Sequence, residues 1–143
     1  MSNQQAQQRI MQRFTVENMA ALNNEPYLQL PMFLFHHTFK ALSNSTRLIY
    51  MHLYDRHRLS VKNNWRDMDG EVYIYFSRKE LQEAVHSSPN TVLKGMKDLQ
   101  AHGLIRERPQ GMGMANRIYV LLPPDHEQMA KEVRALHNNY EYE

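Results

Sequence analysis

The spacing of apolar residues changes several times along this chain, and each change predicts an element. After Ser43 or Ser45, either placed to cap it, the spacing is helical: Leu48, Ile49, Met51, Leu53 and Tyr54 give a broad apolar face. Over residues 65–76 the period is two. Val72, Ile74 and Phe76 alternate with Tyr73 and Tyr75, behind an Asp69-Gly70 pair suited to a tight hairpin whose two central positions favour positive φ. Ser77-Arg78-Lys79-Glu80 then reads as a capping box that opens a helix to about residue 86, with Leu81 and Val85 inward. Ser88 caps the next helix, Pro89 takes its first turn, Val92, Met96 and Leu99 form its buried stripe, and Gly103 stops it. Gly95 inside that helix costs roughly 1 kcal/mol relative to alanine, which is tolerable if the preceding helix crosses closely there. LIRER, the turn-rich PQGMGMA and NRIYVLLP predict a second hairpin, and Pro123-Pro124 breaks the chain. Asp125 is placed to cap a last amphipathic helix using Met129, Val133 and Leu136.

The N-terminal part follows a different pattern. Residues 1–25 are rich in Gln and Asn, with Ile10, Met11, Phe14, Val16 and Met19 scattered among them, and predict an arm that becomes helical against a partner. The following MFLFHHTFKAL holds too many consecutive apolar residues for one face of a short exposed helix. Either both sides are buried or a second subunit covers one, and Met32, Phe33, Leu34 and Phe35 with the arm are the candidate homodimer interface. The order helix, strand, helix, short turn, helix, strand, wing, strand is that of an α+β winged helix-turn-helix domain. It occupies residues 27–122, with an N-terminal arm at 1–26 and a C-terminal helical tail or linker at 123–143.

Composition narrows the function classes. The 143 residues suffice for one domain with a core plus arms. The chain has no cysteine, hence no disulfide, thiolate metal site or catalytic thiol; with no long apolar stretch and no signal-peptide pattern at its start, the expectation is a cytoplasmic protein away from membranes. The eight histidines show no HExxH or paired-ligand spacing. DMDG fails as a calcium loop, because Trp65 and Phe76 fall at the first and twelfth ligand places. No phosphate-cradling loop or nucleophile elbow is present. The expectation is a binding protein, neither an enzyme nor a carrier of cofactor or metal. The net charge of +2 is too small to argue from, but residues 77–119 hold 7 Lys and Arg against 4 Asp and Glu, while residues 120–143 hold 2 against 5.

That basic segment contains the candidate nucleic-acid contacts. On the helix after Ser88, the face left over by the apolar stripe presents Asn90, Thr91, Lys94 and Lys97 to a major groove, although a solvated lysine face would look the same. Arg78 and Lys79 open the preceding helix, where phosphate contacts are usual in this plan. The wing adds Arg106, Arg108 and Arg117 around Gly111 and Gly113, which let the backbone approach a phosphate chain or a minor groove. Leu93, neither core-patterned nor polar, could meet a thymine methyl or a neighbour. Trp65, Tyr73, Tyr75 and Tyr119 are stacking candidates whose commoner role on hairpin strands is packing.

The stretches YLQLPMFLF, DRHRLSVKNNW, VYIYFSRKEL and GLIRERPQGMGMANRIYV closely resemble the N-terminal domain of the RepA_N family, initiators of plasmid replication in Gram-positive bacteria. The resemblance covers about residues 27–120. It implies a winged-helix domain that binds repeated double-stranded DNA sequences in a plasmid origin as a dimer. It also implies that a further C-terminal domain belongs to the full initiator, through which host replication proteins would be met. A winged-helix transcriptional repressor, or an adaptor using the same fold on proteins, shares most of these features.

Overall fold

Three serine caps lay out the helical part of the molecule, which the computed structural model describes over residues 9–138. The Ser43 hydroxyl accepts the Thr46 N–H at 3.1 Å and starts the helix Asn44–Asn63, after a short α1 at Val16–Asn23. Ser77 accepts from Glu80 at 3.0 Å, and the Glu80 carboxylate accepts the Ser77 N–H in return, which is the predicted capping box. Ser88 accepts from Thr91 at 3.2 Å, with Pro89 in the first turn where its missing N–H costs nothing. The resulting helices are α2 (Asn44–Asn63), α3 (Arg78–Val85) and α4 (Pro89–Ala101), followed by β1 (Ile105–Arg108), β2 (Arg117–Val120) and α5 (His126–Asn138). Between α3 and α4 the chain needs only His86, held left-handed at φ 51°, and Ser87 before the next cap. This is the short turn of a helix-turn-helix.

The core lies where α2, α3 and α4 meet one face of the sheet. Leu34, Ile49, Leu53, Ile74, Leu81, Val92, Met96 and Leu99 are fully buried there. Each contributes on the order of 1.5–3 kcal/mol of apolar burial. Gly95 sits at the tightest approach: a Cβ there would lie 2.6 Å from Ile49 Cδ1 and 3.2 Å from Thr46 Oγ1. The helix that crosses at the glycine is therefore α2, and not α3 as the adjacency in sequence suggested.

β1 and β2 pair antiparallel, Ile105 opposite Val120 and Arg108 opposite Arg117. Segment 72–76 joins β2 through one bridge, Ile74 and Ile118 exchanging two hydrogen bonds of 2.9 Å. The turn before it differs from the tight hairpin expected at Asp69-Gly70. Only Gly70 has positive φ (80°), and the loop is closed by the Asp67 carboxylate, which accepts the N–H groups of Asp69 and Glu71 at 2.9 Å each. A side-chain acceptor has taken over what a second left-handed residue would otherwise do.

The segment of consecutive apolar residues folds as two 3₁₀ turns, Met32–Phe35 and His37–Phe39. Phe33, Leu34 and Phe39 are buried in their own chain, while Phe35 is 46% exposed with the Arg47 guanidinium 4.9 Å from its ring centre. Arg47, itself buried, donates to the carbonyls of Leu34 and Phe39 and to Asn44 Oδ1, at 2.8, 3.0 and 2.9 Å. Helix α5 packs back on the first turn through Met129 and Val133, and Glu132 pairs with His36; Leu136, expected inward, is exposed because the stripe ends before it. Asp125 stands just before α5, where its carbonyl accepts the Met129 N–H at 3.1 Å as the first bond of the helix ladder. Helix α1 buries none of its residues, and Ile10, Met11, Phe14 and Val16 of the arm are exposed.

Candidate nucleic-acid interface

Burying Val92, Gly95, Met96 and Leu99 fixes the rotation of α4 and so decides what its other side shows. Asn90, Leu93, Lys94 and Lys97 share the solvent face at i, i+3, i+4 and i+7, and all four are exposed. Lys94 pairs along the helix with Asp98 at 2.7 Å, an exposed i,i+4 contact that a phosphate or base edge can displace cheaply. Thr91 is different. Its hydroxyl lies 3.0 Å from Ser88 Oγ and the residue is half-buried, so it completes the helix cap more than it offers itself to a ligand.

Strand alternation divides the wing residues between two faces. Ile105, Glu107 and Ile118 turn toward the helices, and Arg106, Arg108, Arg117 and Tyr119 turn away. Glu107, nearly buried, accepts from Arg78 at 2.6 Å, from Asn116 at 3.1 Å and from Gln100 at 3.3 Å, which ties α3, α4 and both wing strands together. Arg78 is thus committed internally. On the other face Arg106 pairs with Glu71 at 2.6 Å and lies 4.6 Å over the Tyr119 ring. Arg117 is half-buried against Tyr73 at 4.4 Å, and the hydroxyls of Tyr75 and Tyr119 raise its pKa further above the usual guanidinium value. Tyr119 donates to Asp67 at 2.8 Å, holding that carboxyl below its ordinary range.

Of the five arginines and lysines expected at phosphates, Lys79 and Arg108 stand exposed with no ion pair among the described residues. Lys97 on α4 does the same. The aromatic candidates pack on one another: Tyr73 lies 5.5 Å from Tyr75 and 6.3 Å from Tyr119, and Trp65 lies 6.3 Å from Tyr75. A cleft of about 480 Å³ between the wing and the start of α3 is lined by Arg78 but also by Glu80 and Glu107, and two carboxylates make it a poor seat for a phosphate. Arg56, which the sequence left unassigned, donates to Glu80 at 2.6 Å and holds that carboxyl below its ordinary range while stacking 3.5 Å over Phe76. Its partner, 24 residues away on the capping box, is invisible to local spacing.

Gly111 (φ 117°) and Gly113 (φ 75°) shape the wing tip, and a Cβ at either would meet nothing within 4 Å. The tip stands clear of the domain. Gln110 braces its base, its amide donating at 2.9 Å to both the Ala115 carbonyl and the Tyr75 hydroxyl.

A family model described as the N-terminus of replication initiator protein A, RepA_N, matches residues 26–132. A "41 kDa protein" of Lactobacillus helveticus is 36% identical over 109 residues, 71% of this chain and 31% of that protein. The chain thus spans about a third of the length of that curated relative. Among solved structures, one described as the N-terminal domain of a DNA binding protein superposes with a TM-score of 0.69 at 29% identity, over 93% of this chain and 100% of the other. A Rep-DNA complex matches with the same score and identity over 92% and 100%. An MDR initiator matches at 31% identity and a TM-score of 0.65, over 89% and 99%. The family match runs from before the first 3₁₀ turn into α5, through the helix-turn-helix and the wing, and the chain belongs to the RepA_N family of replication initiator N-termini.

Proposed function

We propose that this chain is the DNA-reading module of a plasmid replication initiator, binding repeated sequences of the origin as a homodimer. The observation that carries the reading is the solvent face of α4. Asn90, Leu93, Lys94 and Lys97 are exposed, Lys94 held only by its surface pair with Asp98, on a helix whose rotation is fixed by its core, beside an unobstructed wing, in a chain of this family. Asn90 and Lys94 address base edges and Leu93 a thymine methyl, while Lys79, Lys97 and Arg108 meet phosphates. The structures of a DNA binding protein and of a Rep-DNA complex with the same fold support double-stranded DNA as the ligand. The exposed arm residues Ile10, Met11 and Phe14, with Phe35, are the surface offered to the second subunit. Host replication proteins are left to other parts of a longer initiator. No catalytic step, metal or cofactor enters this reading.

Footprinting on DNA around the coding gene tests it. The expected result is stepwise protection of several clustered repeats, each by a dimer. A single promoter-proximal operator, with transcription rising when the protein is removed, would instead establish a repressor. Full activity of a variant carrying Lys79→Glu, Lys97→Glu and Arg108→Glu would establish an adaptor that needs no DNA.

A further inference from the structure

Two methionines occupy the wing tip, and Met112 at its apex is fully exposed while Met114 is 59% exposed. Water-facing methionine gains nothing in a monomer, and here the loop holds it out deliberately. Gln110 locks the loop base to Ala115 and Tyr75, and the Met114 N–H closes the turn on the Gly111 carbonyl at 3.3 Å. The residues on either side of Met112 are glycines with positive φ, so neither adds bulk beside it. A minor groove about 6 Å wide admits such a profile: bare backbone with one unbranched, polarizable side chain leading. Arg108 stands exposed at the end of β1 just before the loop, a cation suited to the phosphates that border such a groove.

We propose that Met112 is an apolar wedge that enters the minor groove beside each repeat and partly unstacks one base step, bending the duplex. The proposal rests on the DNA-binding reading above and adds to it a contact made by neither charge nor hydrogen bonding. Met114 lines the same edge and supports the wedge at the groove wall. The step selected is a deformable one, so the wedge makes the protein sensitive to base pairs flanking those read by α4.

The test uses the whole 143-residue chain and a duplex of about 30 base pairs selected by it from a random-sequence pool, the length being roughly three helical turns. 2-Aminopurine is placed at successive steps under the wing, and donor and acceptor dyes at the ends report bending. The wild-type chain is expected to raise 2-aminopurine fluorescence at one step and shorten the end-to-end distance. Met112→Ala should abolish both signals and weaken binding by about tenfold, while Met112→Leu should retain them. Lys97→Glu should weaken binding and leave the unstacking signal in whatever complex forms at high protein concentration. If Met112→Ala binds and bends as the wild type does, the wedge is wrong and the α4 reading stands. If the pool yields no preferred duplex, or Lys97→Glu and Arg108→Glu leave affinity unchanged, the DNA reading itself fails and the wedge goes with it.

Discussion

At the scale of one residue, a single methyl group at position 95 sets two effects against each other. Alanine favours the helix by about 1 kcal/mol over glycine. Its Cβ would press on Ile49, which is fully buried and has nowhere to swing, and crowding of that kind costs about 1–3 kcal/mol. Gly95→Ala should therefore lower stability by about 1 kcal/mol net, read from denaturant melts. An equal or higher midpoint would mean that the helices part easily there. Asn90→Ala, on the exposed face, should leave the melt unchanged and cost about 1–3 kcal/mol on the native site with relaxed preference at one or two base pairs. The glycine's purpose was legible in the sequence, because a helix breaker inside a strong amphipathic stripe needs a close neighbour. The inward turn of Arg117 was not. An arginine on a wing strand reads the same whether a phosphate or three tyrosines await it, and only the bridge of Ile74 to Ile118 brings those rings alongside.

Elements were legible where their ends carry chemistry. The capping box at Ser77, the Ser88-Pro89 start and the Gly103 stop placed α3 and α4 almost to the residue, since each satisfies backbone groups that a helix leaves unpaired. The 67–71 loop departs from the expected tight hairpin, because its conformation depends on which atoms the Asp67 carboxylate reaches, and spacing does not encode that. The same distinction separates Arg78 from Lys79, neighbours on the first turn of α3. Arg78 ties that turn to Glu107 of β1, and removing it leaves a nearly buried carboxylate with only two amide donors. Arg78→Ala should thus destabilise the fold by about 1–2 kcal/mol while the salt dependence of DNA binding stays as it was. Lys79→Ala should do the opposite. A shallower salt slope without loss of stability for Arg78→Ala would return it to the phosphate contacts.

For the whole molecule, the count of uncommitted cations sets the electrostatics of binding. Five phosphate contacts per subunit are the expectation from sequence; with Arg78, Arg106 and Arg117 engaged internally, Lys79 and Arg108 remain of those five, and Lys97 of α4 joins them. The slope of log affinity against log salt should then be about −3 per subunit, measurable by anisotropy titrations. Stability against pH follows from two histidines of α2. Burial lowers the pKa of His52 and His57 from the ordinary 6.5, so the unfolded chain takes up protons first and folding weakens as pH falls below 6.5. Asp67, Glu80 and Glu132, all held low by hydrogen bonds, add a second loss below the ordinary carboxylate range. His57→Gln should flatten the first stage in a series of thermal melts. An unchanged profile above the carboxylate range would show that His57 is not the titrating group. The docking of α5 on the first 3₁₀ turn escaped the sequence for a simple reason: an apolar stripe announces that a helix is covered, and leaves unsaid by what.

Arg47 carries a consequence for anyone who maps this protein by mutation. Its guanidinium plane fills the space between two short turns and ties the Leu34 carbonyl of one to the Phe39 carbonyl of the other. Lysine keeps the charge and loses the fork, so even this mild exchange should loosen the segment that delivers Phe33 and Leu34. A genetic screen for loss of origin recognition would then return position 47 beside those of α4, and a tally of hits would credit it with touching DNA. Scoring the same library for abundance as well as recognition would sort the two: variants at 47 fall in both, variants at Asn90 or Lys97 in one.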